Sequence, residues 1–362
     1  MTRDQIQAEA LVALKGKKRA GLAVSVGVGK TLIALKHMNS LYTENLSVLV
    51  VAPKKSIFKS WKDEAKKHKL EHLLEHINFT TYLSLNKQSI HYDIVYLDEC
   101  HSLLFSHQDW LVNYTGIIIG LTGTPPKYKS SEKGVMVERY CPISYRYITD
   151  DAVKDEILND YRIKIHKLKL NPNKSICKTS KDGRRSWYTS EVAEYNYWTQ
   201  ATITANSPKQ QQIMRIMRMK ALMEFPSKEQ YAQKLFNASQ EKCILFTNTQ
   251  KQADKMCSHS YHSKNPQSEE NLEDFKNGTI TKLSCVLQLN EGVNIPNLKE
   301  GIIMHAYGNE RKSSQRIGRL LRLSADQTAT IHILCYANTI DEKWVNDAIS
   351  HLDLTKVEII IV

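Results

Sequence analysis

The chain has 362 residues, of which 41% are hydrophobic. This length suffices for two domains of ordinary size but is short for three. Lys and Arg number 50 against 38 Asp and Glu, and the formal charge of +12 favours a polyanionic partner over an acidic or neutral one. The longest apolar runs, such as Val48–Ala52, are far too short to cross a bilayer, and the N-terminus carries no apolar run typical of a secretion signal. We therefore expect no membrane contact.

The seven cysteines are odd in number, and none is spaced C-x-x-C. This pattern argues against a disulfide framework or a structural zinc site and favours a reducing compartment, so we expect a cytoplasmic protein. Cys243, Cys285 and Cys335 lie inside apolar runs and are typical of small core residues.

In chain order, short apolar runs alternate with amphipathic stretches through the first half. Continuous apolar runs predict parallel strands that are buried on both faces. Apolar residues at helical spacing predict helices at Thr31–Leu41 and Ser56–His68. The predicted strands of this half are Leu22–Val26, Ser47–Val51, Ile94–Leu97 and Ile117–Leu121.

The alternation repeats in the second half, where Ile163–Leu170 could be the first strand. We predict an α/β protein with two doubly wound parallel-sheet domains in tandem, at residues 1–160 and 161–362. Asn171–Ser190 is rich in Lys, Ser and Asn and predicts a loop or hairpin. The later predicted strands are Cys243–Phe246, Lys282–Leu287, Gly301–His305 and Thr330–Leu334.

Much of the positive charge is concentrated near the crossover between the two halves. Residues 162–220 hold 13 Lys and Arg against three acidic residues. A basic aromatic segment near 171–220 includes Arg184 and Arg185, which we expect to bind nucleic acid. Its Trp187 and Trp198 could stack on unpaired bases or pack a helix, and the sequence leaves both roles open.

Residues Gly27–Thr31 read Gly-Val-Gly-Lys-Thr and lie between a predicted strand and a predicted helix. Glycines let backbone N–H groups turn toward phosphates, and the helix N-terminus adds a favourable dipole. In such a loop the lysine reaches the β- and γ-phosphates and the threonine hydroxyl binds Mg²⁺. The longer eight-residue pattern would need a glycine where Val24 stands. The predicted ATP-binding residues are Gly27, Val28, Gly29, Lys30 and Thr31.

Asp98 and Glu99 directly follow the predicted strand Ile94–Leu97. Beside a phosphate loop, such a pair has a chemical use: Asp98 can hold Mg²⁺ through water while Glu99 polarises the attacking water. A solvated turn is the alternative. A Thr-Gly-Thr sequence at 122–124, one predicted strand later, favours the catalytic interpretation.

On the basis of these residues, the sequence resembles superfamily 2 helicases and translocases. Any one of the short motifs is weak, but eight in the family's order are very improbable by chance. In the first half, the matching strings are Gly27–Thr31 (motif I), Val50–Lys54 with Trp61 and Glu64 spaced as in restriction-motor and Swi/Snf-like members (Ia), Thr81 and Tyr82 (Ib), Asp98–His101 (II, a DECH form) and Leu121–Pro125 (III). In the second half, they are Ile244–Thr247 (IV), Glu291–Pro296 (V) and Gln315–Arg322 (VI). The resemblance implies two RecA-like domains with an ATP cleft between them.

In motif VI, Gln315, Arg319 and Arg322 stand at i, i+4 and i+7, on one stripe of a helix. The resemblance implies that Arg319 and Arg322 act as arginine fingers on the γ-phosphate and that Gln315 lies close to the nucleotide. A basic solvent-facing surface is the alternative. Motif V departs from the family, because Ser284-Cys285-Val286 stands where a threonine is usual.

The resemblance implies further roles. Gln7 would read adenine, although a helix-surface glutamine is the alternative. Glu291 and Gly292 would belong to the nucleotide site, and coupling of hydrolysis to movement would pass through His101, Thr122 and Thr124. Contacts to a nucleic-acid strand would come from Pro53, Lys54, Thr81, Tyr82, Thr247, Asn248 and Asn294.

We therefore expect a nucleic-acid-dependent ATPase that uses ATP and Mg²⁺, namely a DNA helicase or branch-migrating translocase on single-stranded, forked or branched DNA. The chain looks like small phage or viral members near the recombination and fork-remodelling helicases, which implies work in DNA repair, recombination or replication by a monomer, in the host cytoplasm if viral. A duplex translocase without strand separation and an RNA helicase are alternatives. From a different class, a phosphate-loop kinase or nucleotide switch would explain Gly27–Thr31 but not the motif VI stripe.

Overall fold

The chain forms two units, each built around its own parallel sheet. The computed structural model describes residues 1–362 except 26, 127, 156–159, 181, 287–294, 296, 307–327 and 351. Residues 1–159 make up most of the first unit, and residues 160–362 make up most of the second. Each unit is described by itself.

The first unit contains a parallel sheet whose strands are short and apolar. Because helices cover both faces, the central strands are buried along their whole length, which explains the continuous apolar runs in the sequence. Within the described residues, the strand order is β3-β2-β4-β5-β1-β6. The strands are β1 (Arg19–Val24), β2 (Val48–Ala52), β3 (Ile77–Thr81), β4 (Ile94–Asp98), β5 (Ile117–Thr122) and β6 (Ile143–Tyr147).

Amphipathic helices and short 3₁₀ turns connect these strands. The first helix begins with a capping box, in which Thr2 and Gln5 exchange side-chain and backbone hydrogen bonds. The helices are α1 (Arg3–Leu14), α2 (Lys30–Ser40), α3 (Ser56–Lys67), α4 (Gln108–Asn113), α5 (Glu132–Tyr140) and α6 (Thr149–Lys154). The 3₁₀ turns are Glu71–His76, Tyr82–Lys87, Cys100–Ser102 and Phe105–His107.

Strand β5 lies between β4 and β1, and all three run parallel. Asp98 is level with Leu121 across one pairing, and Ala23 is level with Thr122 across the other. Because the carboxyl ends of parallel strands meet at one edge of a sheet, the residues that follow these strands are brought together. We call this side of the first sheet the carboxyl edge.

The second unit contains a larger parallel sheet and a separate antiparallel hairpin. Within the described residues, the sheet order is β11-β12-β10-β13-β14-β7-β15, and β8 pairs with β9 in the hairpin. The strands are β7 (Asp160–Leu168), β8 (Ile176–Thr179), β9 (Ser186–Thr189), β10 (Cys243–Thr247), β11 (Ser260–Tyr261), β12 (Lys282–Val286), β13 (Glu300–Ile303), β14 (Thr328–Tyr336) and β15 (Val357–Ile361).

Helices of this unit follow the hairpin and connect the later strands of the sheet. The helices are α7 (Glu191–Ile203), α8 (Pro208–Glu224), α9 (Pro226–Ala238), α10 (Gln250–Met256), α11 (Ser268–Asn277) and α12 (Ile340–Ile349). No helix in the described part of the chain is long and apolar enough to span a membrane.

The predicted α/β class with two parallel sheets is confirmed. The predicted strands of the first half agree with the observed ones to within a few residues, and Asn171–Ser190 contains the β8–β9 hairpin. The sequence analysis missed β3 and β6, which flank the first sheet. Only part of each edge strand is buried, so neither presents the continuous apolar run of the central strands.

A buried ionic cluster joins three elements of the second unit. Lys228, in the first turn of α9, donates a hydrogen bond to Asp341, in the first turn of α12. The Nδ1 atom of His305, just after β13, lies 3.2 Å from the other Asp341 oxygen. Burial alone would raise the pKa of Asp341, but the charges of Lys228 and His305 outweigh it and lower the pKa to about 2. The cluster therefore stabilises the fold above the ordinary pKa of 3.8, and this contribution is lost as the pH falls toward 2.

We expect Lys228→Met to destabilise the second unit strongly, because it leaves the buried Asp341 carboxylate with only His305 beside it. The free energy of unfolding should fall by about 3–5 kcal/mol, measured by urea unfolding followed by tryptophan fluorescence. The matched control is Lys255→Met, which breaks the pair between the exposed Lys255 and Glu229 and should cost less than about 1 kcal/mol. Equal losses in the two variants would contradict a stabilising role for the buried pair.

Candidate active site

The loop between β1 and α2 has the backbone geometry of a phosphate-binding turn. Gly27 and Gly29 have φ angles of 98° and 103°, a left-handed region that favours glycine. Gly29 is the N-cap of α2, so the free N–H groups of the first helical turn face the loop. Lys30 Nζ donates a hydrogen bond to the carbonyl oxygen of Val24 at 3.2 Å, which holds the lysine across the mouth of the loop.

Gln7 on α1 packs directly against this loop. Its Nε2 donates to the Val28 carbonyl oxygen at 3.3 Å, and its Oε1 accepts a hydrogen bond from Lys36 Nζ at 2.8 Å. A Cβ atom at Gly29 would lie only 3.1 Å from the same amide nitrogen. The amide nitrogen of Gln7 therefore braces the loop and its oxygen bonds to α2, while the adenine reading expected from the sequence stays a prediction.

Asp98, the last residue of β4, carries a carboxylate that is almost completely buried. Its Oδ2 accepts a hydrogen bond from Trp61 Nε1 at 2.8 Å, and its main-chain oxygen accepts one from the Tyr82 hydroxyl at 2.9 Å. Burial raises the pKa of Asp98, and the Trp61 hydrogen bond and the charge of Lys30 oppose that rise. The influence of Lys30 on this carboxyl group links the phosphate loop to the end of β4.

Glu99 follows in a left-handed backbone conformation, with φ 50° and ψ 54°. Non-glycine residues adopt this region at a cost, and such strain is concentrated at functional sites. Its Oε2 lies 3.3 Å from Nδ1 of His101, and the same nitrogen lies 2.7 Å from the Thr122 hydroxyl oxygen. Thr122 Oγ1 also accepts a hydrogen bond from the Thr124 backbone N–H at 3.0 Å. The end of β5 is thus joined to the predicted catalytic carboxylate through one imidazole.

These side chains fit Mg²⁺ bound together with a nucleotide. In the described part of the chain, no group of three or more His, Cys, Asp or Glu side chains could hold a metal ion. Mg²⁺ is usually bound by one or two carboxylates, several waters and the phosphates of the substrate. The Asp98 carboxylate and the Thr31 hydroxyl, at the start of α2, supply the hard oxygen atoms that such a site needs.

The structure buries two of the residues expected to contact a nucleic-acid strand, and that contact stays a prediction for both. Tyr82 is buried and its hydroxyl is bonded to the Asp98 backbone, so this side chain faces the core of the first unit. Thr247 is also fully buried, with its hydroxyl 3.2 Å from the carbonyl oxygens of Thr249 and Cys285. Both residues end strands or begin turns, where a short motif does not tell which way a side chain points.

Other expected strand contacts lie nearer to solvent. Lys54 is exposed just before α3, and Pro53 and Thr81 are half-buried. Asn248 follows β10, and its backbone N–H donates to Gln252 at 3.2 Å. The predicted residues that fall outside the described part of the chain are Glu291, Gly292, Asn294, Gln315, Arg319 and Arg322.

The basic aromatic segment forms an ordered hairpin. Arg184 and Arg185 are exposed near its tip, where Gly183 has a φ angle of 73°. Trp187 is 50% exposed, whereas Trp198 is half-buried, donates to Glu194 at 2.8 Å and packs against the core. The two tryptophans therefore differ, because only Trp187 presents a large part of its ring to solvent.

Two family models match the chain. The model for the res subunit of type III restriction enzymes matches residues 1–127, which include the phosphate loop and both carboxylates. The helicase conserved C-terminal domain model matches residues 227–324. The DNA 3′–5′ translocase XPB2 of Sulfurisphaera tokodaii is 23% identical over 359 residues, covering 91% of this chain and 80% of the archaeal protein.

Solved structures from restriction enzymes have the same fold. The ATP-dependent type ISP restriction-modification enzyme LlaBIII, solved bound to DNA, aligns with a TM-score of 0.63 and 14% identity over 99% of this chain. This chain spans 31% of LlaBIII. A fragment of a putative HsdR subunit of a type I restriction enzyme from Vibrio vulnificus YJ016 aligns with a TM-score of 0.61 and 15% identity, covering 99% of this chain and 68% of the fragment.

The two sheets, the phosphate loop and the matched models define an ATPase that depends on nucleic acid. More specifically, the chain belongs to the superfamily 2 helicases and translocases. The sequence analysis named most residues of this site but missed what Trp61 and Tyr82 contact. The spacing of Trp61 after motif Ia was the one available signal, and it did not indicate a partner 37 residues away.

We expect Gln7→Met to weaken ATP and GTP binding by similar factors, about fivefold for the loss of a hydrogen bond worth about 1 kcal/mol. The reason is that the Gln7 amide braces the phosphate loop, which both nucleotides share. Equilibrium binding of fluorescent ATP and GTP analogues would measure this, with Ala8→Met on the exposed side of α1 as the control. A loss confined to ATP would instead indicate that Gln7 reads the base.

Proposed function

We propose that this protein is an ATP- and Mg²⁺-dependent DNA helicase or branch-migrating translocase. The observation that carries the proposal is the arrangement at the carboxyl edge of the first sheet. The phosphate loop follows β1, the Asp98–Glu99 pair ends β4, and between them Thr122 of β5 contacts His101. Kinases and nucleotide switches share the phosphate loop and an acidic residue for Mg²⁺, whereas a motor also needs a link from the catalytic carboxylate to a second element, which the contact of His101 with Thr122 offers.

Each residue of this edge has a defined task in the proposed reaction. Lys30 binds the β- and γ-phosphates, and Thr31 and Asp98 would hold Mg²⁺. The ion, when bound, neutralises charge on the phosphates during transfer. Glu99 accepts the proton of the attacking water, and its 3.3 Å contact with His101 orients the carboxylate.

His101 and Thr122 support the proposed coupling of hydrolysis to movement. The imidazole lies within hydrogen-bonding distance of both Glu99 and Thr122, so a change at the carboxylate reaches β5 and Thr124 through one side chain. Both His101 and Thr122 are buried, which limits competition from water. The matching roles of Gln315, Arg319 and Arg322 at the γ-phosphate, and of Glu291, Gly292 and Asn294, rest on the sequence resemblance.

DNA is the proposed track. The archaeal relative is named a DNA 3′–5′ translocase, and LlaBIII was solved bound to DNA. The excess of positive charge suits a polyanion, and contacts to phosphate and sugar would make binding independent of sequence. We further propose a monomer that acts in the cytoplasm on forked or branched DNA, in recombination, repair or replication.

We propose that the hairpin of the second unit makes a second contact with DNA. Ser180 accepts a hydrogen bond from the Arg185 backbone N–H at 3.0 Å, and Asp182 accepts one from that of Arg184 at 3.2 Å, so the tip is ordered. Lys178 of β8 bridges to Glu194 of α7 at 2.9 Å, which anchors the hairpin to the helix. An ordered basic hairpin with an exposed Trp187 offers both phosphate contacts and a stacking surface.

Strand-displacement and ATPase assays separate the candidate functions. Displacement on forked, nicked or four-way DNA supports the proposal, whereas DNA-stimulated ATPase without displacement on any substrate favours a duplex translocase. Stronger stimulation by RNA than by DNA favours an RNA helicase. Fast ATP turnover that no nucleic acid alters would contradict a motor and favour a nucleotide switch.

We expect Glu99→Gln to lower ATP turnover about 100-fold or more, because it removes the general base while leaving the phosphate loop intact. ATP binding should persist, measured with a fluorescent analogue. Lys30→Ala should abolish turnover and leave DNA binding largely unchanged. The surface substitution Glu75→Gln is the control. If Glu99→Gln retained wild-type turnover, Glu99 would not be the base.

We expect neutralisation of the basic cluster to flatten the salt dependence of DNA binding, because each lost phosphate contact lowers the slope of log K against log salt by about 0.7–0.9. The measurement is fluorescence anisotropy at several salt concentrations. The variant replaces Arg184, Arg185, Arg215 and Arg218 by Gln. The control replaces the exposed Lys234, Lys255, Lys264 and Lys343, also on the second unit, by Gln. The same slope in both variants would indicate that the cluster is ordinary solvated surface and makes no special contact with DNA.

A further inference from the structure

We propose that Trp61 is a positioning residue for the reaction, which holds the Asp98 carboxylate in the orientation that Mg²⁺ binding needs. This inference rests on the proposed function, in which Asp98 holds the ion. The observation behind it is the hydrogen bond of 2.8 Å from Trp61 Nε1 to Asp98 Oδ2.

The chemistry of the indole group makes this contact directional. An indole N–H can only donate, so the bonded oxygen of Asp98 must act as an acceptor. A hydrogen bond to an ionised acceptor is shorter and stronger than one between neutral groups. The Asp98 carboxyl group also accepts a backbone hydrogen bond from Glu99, so Trp61 acts on a carboxylate whose rotation is already restricted.

Packing alone does not require a tryptophan at this position. Trp61 lies on the buried stripe of α3 with Ile57 and Ala65, and its ring is 5.9 Å from that of Tyr96 on β4. A phenylalanine could fill much of the same apolar space. The N–H group, by contrast, has a specific use, because a carboxylate this deeply buried is costly without hydrogen-bond donors.

Asp98 is fixed from two directions. Trp61 holds the side chain from α3, and Tyr82 holds the main-chain oxygen from the 3₁₀ turn that follows β3. The Tyr82 bond holds the main chain of the residue, and the Trp61 bond, together with a backbone hydrogen bond from Glu99, sets the rotation of the carboxylate. Groups that orient metal-binding carboxylates in this way typically change metal affinity or activity by 10–100-fold when they are removed.

The test compares Trp61→Phe with Trp110→Phe. Both substitutions remove a buried indole N–H in the first unit, but Trp110 donates to the Gln88 carbonyl oxygen at 2.9 Å and not to a carboxylate. Binding of a fluorescent, non-hydrolysable ATP analogue is measured as Mg²⁺ is titrated, so that no turnover is needed. We expect the Mg²⁺ concentration at half-effect to rise about tenfold in Trp61→Phe and less than about twofold in Trp110→Phe.

A second variant keeps the test decisive if Trp61→Phe does not fold. Replacement of Trp61 by benzothienylalanine puts sulfur in place of the N–H and preserves the shape of the ring. It should raise the Mg²⁺ requirement as Trp61→Phe does. ATPase assays should show the same shift in Mg²⁺ half-saturation, with partial recovery by Mn²⁺, which binds such sites more tightly.

The outcomes distinguish this inference from the proposed function. If wild-type protein hydrolyses ATP with DNA and the Trp61 variants need no more Mg²⁺ than Trp110→Phe, the positioning role is overturned and the motor function stands. If wild-type protein shows no DNA-dependent turnover but the Trp61 variants alone lose Mg²⁺-dependent nucleotide binding, the positioning role stands and the motor function fails.

Discussion

The site depends on one constraint, the insertion of β5 between β4 and β1 in a parallel sheet. These strands are five or six residues long and almost entirely buried, so their interiors are restricted to apolar side chains. Polar residues are therefore confined to the strand ends. Because the three strands run in the same direction, the glycine loop, the carboxylates and Thr122 all meet at one edge.

Local features of the site could be predicted from the sequence because they depend on backbone chemistry. Positive φ angles at Gly27 and Gly29 need glycine, and a buried parallel strand needs an unbroken apolar run such as Ile94–Leu97. Side-chain direction could not be predicted in this way. The motif around Thr81 and Tyr82 is the same string whether the tyrosine faces a nucleic acid or the core, and the tertiary partner of its hydroxyl decides between them.

The second unit shows a different limit of sequence reasoning. Lys228, Asp341 and His305 are separated by dozens of residues, and each alone is typical of a solvated surface. In the structure they form a buried cluster that holds the first turns of α9 and α12 beside the end of β13. Charge patterning along a chain does not reveal such a cluster, because burial is a property of the packed elements. The basic hairpin, by contrast, could be predicted from the local excess of basic residues, because its charged side chains are exposed.

The contact between Trp61 and Asp98 also makes the fluorescence of Trp61 sensitive to the state of the Asp98 carboxylate. Indole emission responds to the hydrogen-bond partner of the ring N–H and to nearby charge. Trp61 bonds the carboxylate itself, whereas Trp110 bonds a backbone carbonyl oxygen, and Trp344 packs against His305 in the second unit. A divalent ion that arrived at Asp98 would change the electric field along the N–H bond of Trp61. Binding of an ion to this carboxylate would therefore change the ultraviolet fluorescence of Trp61.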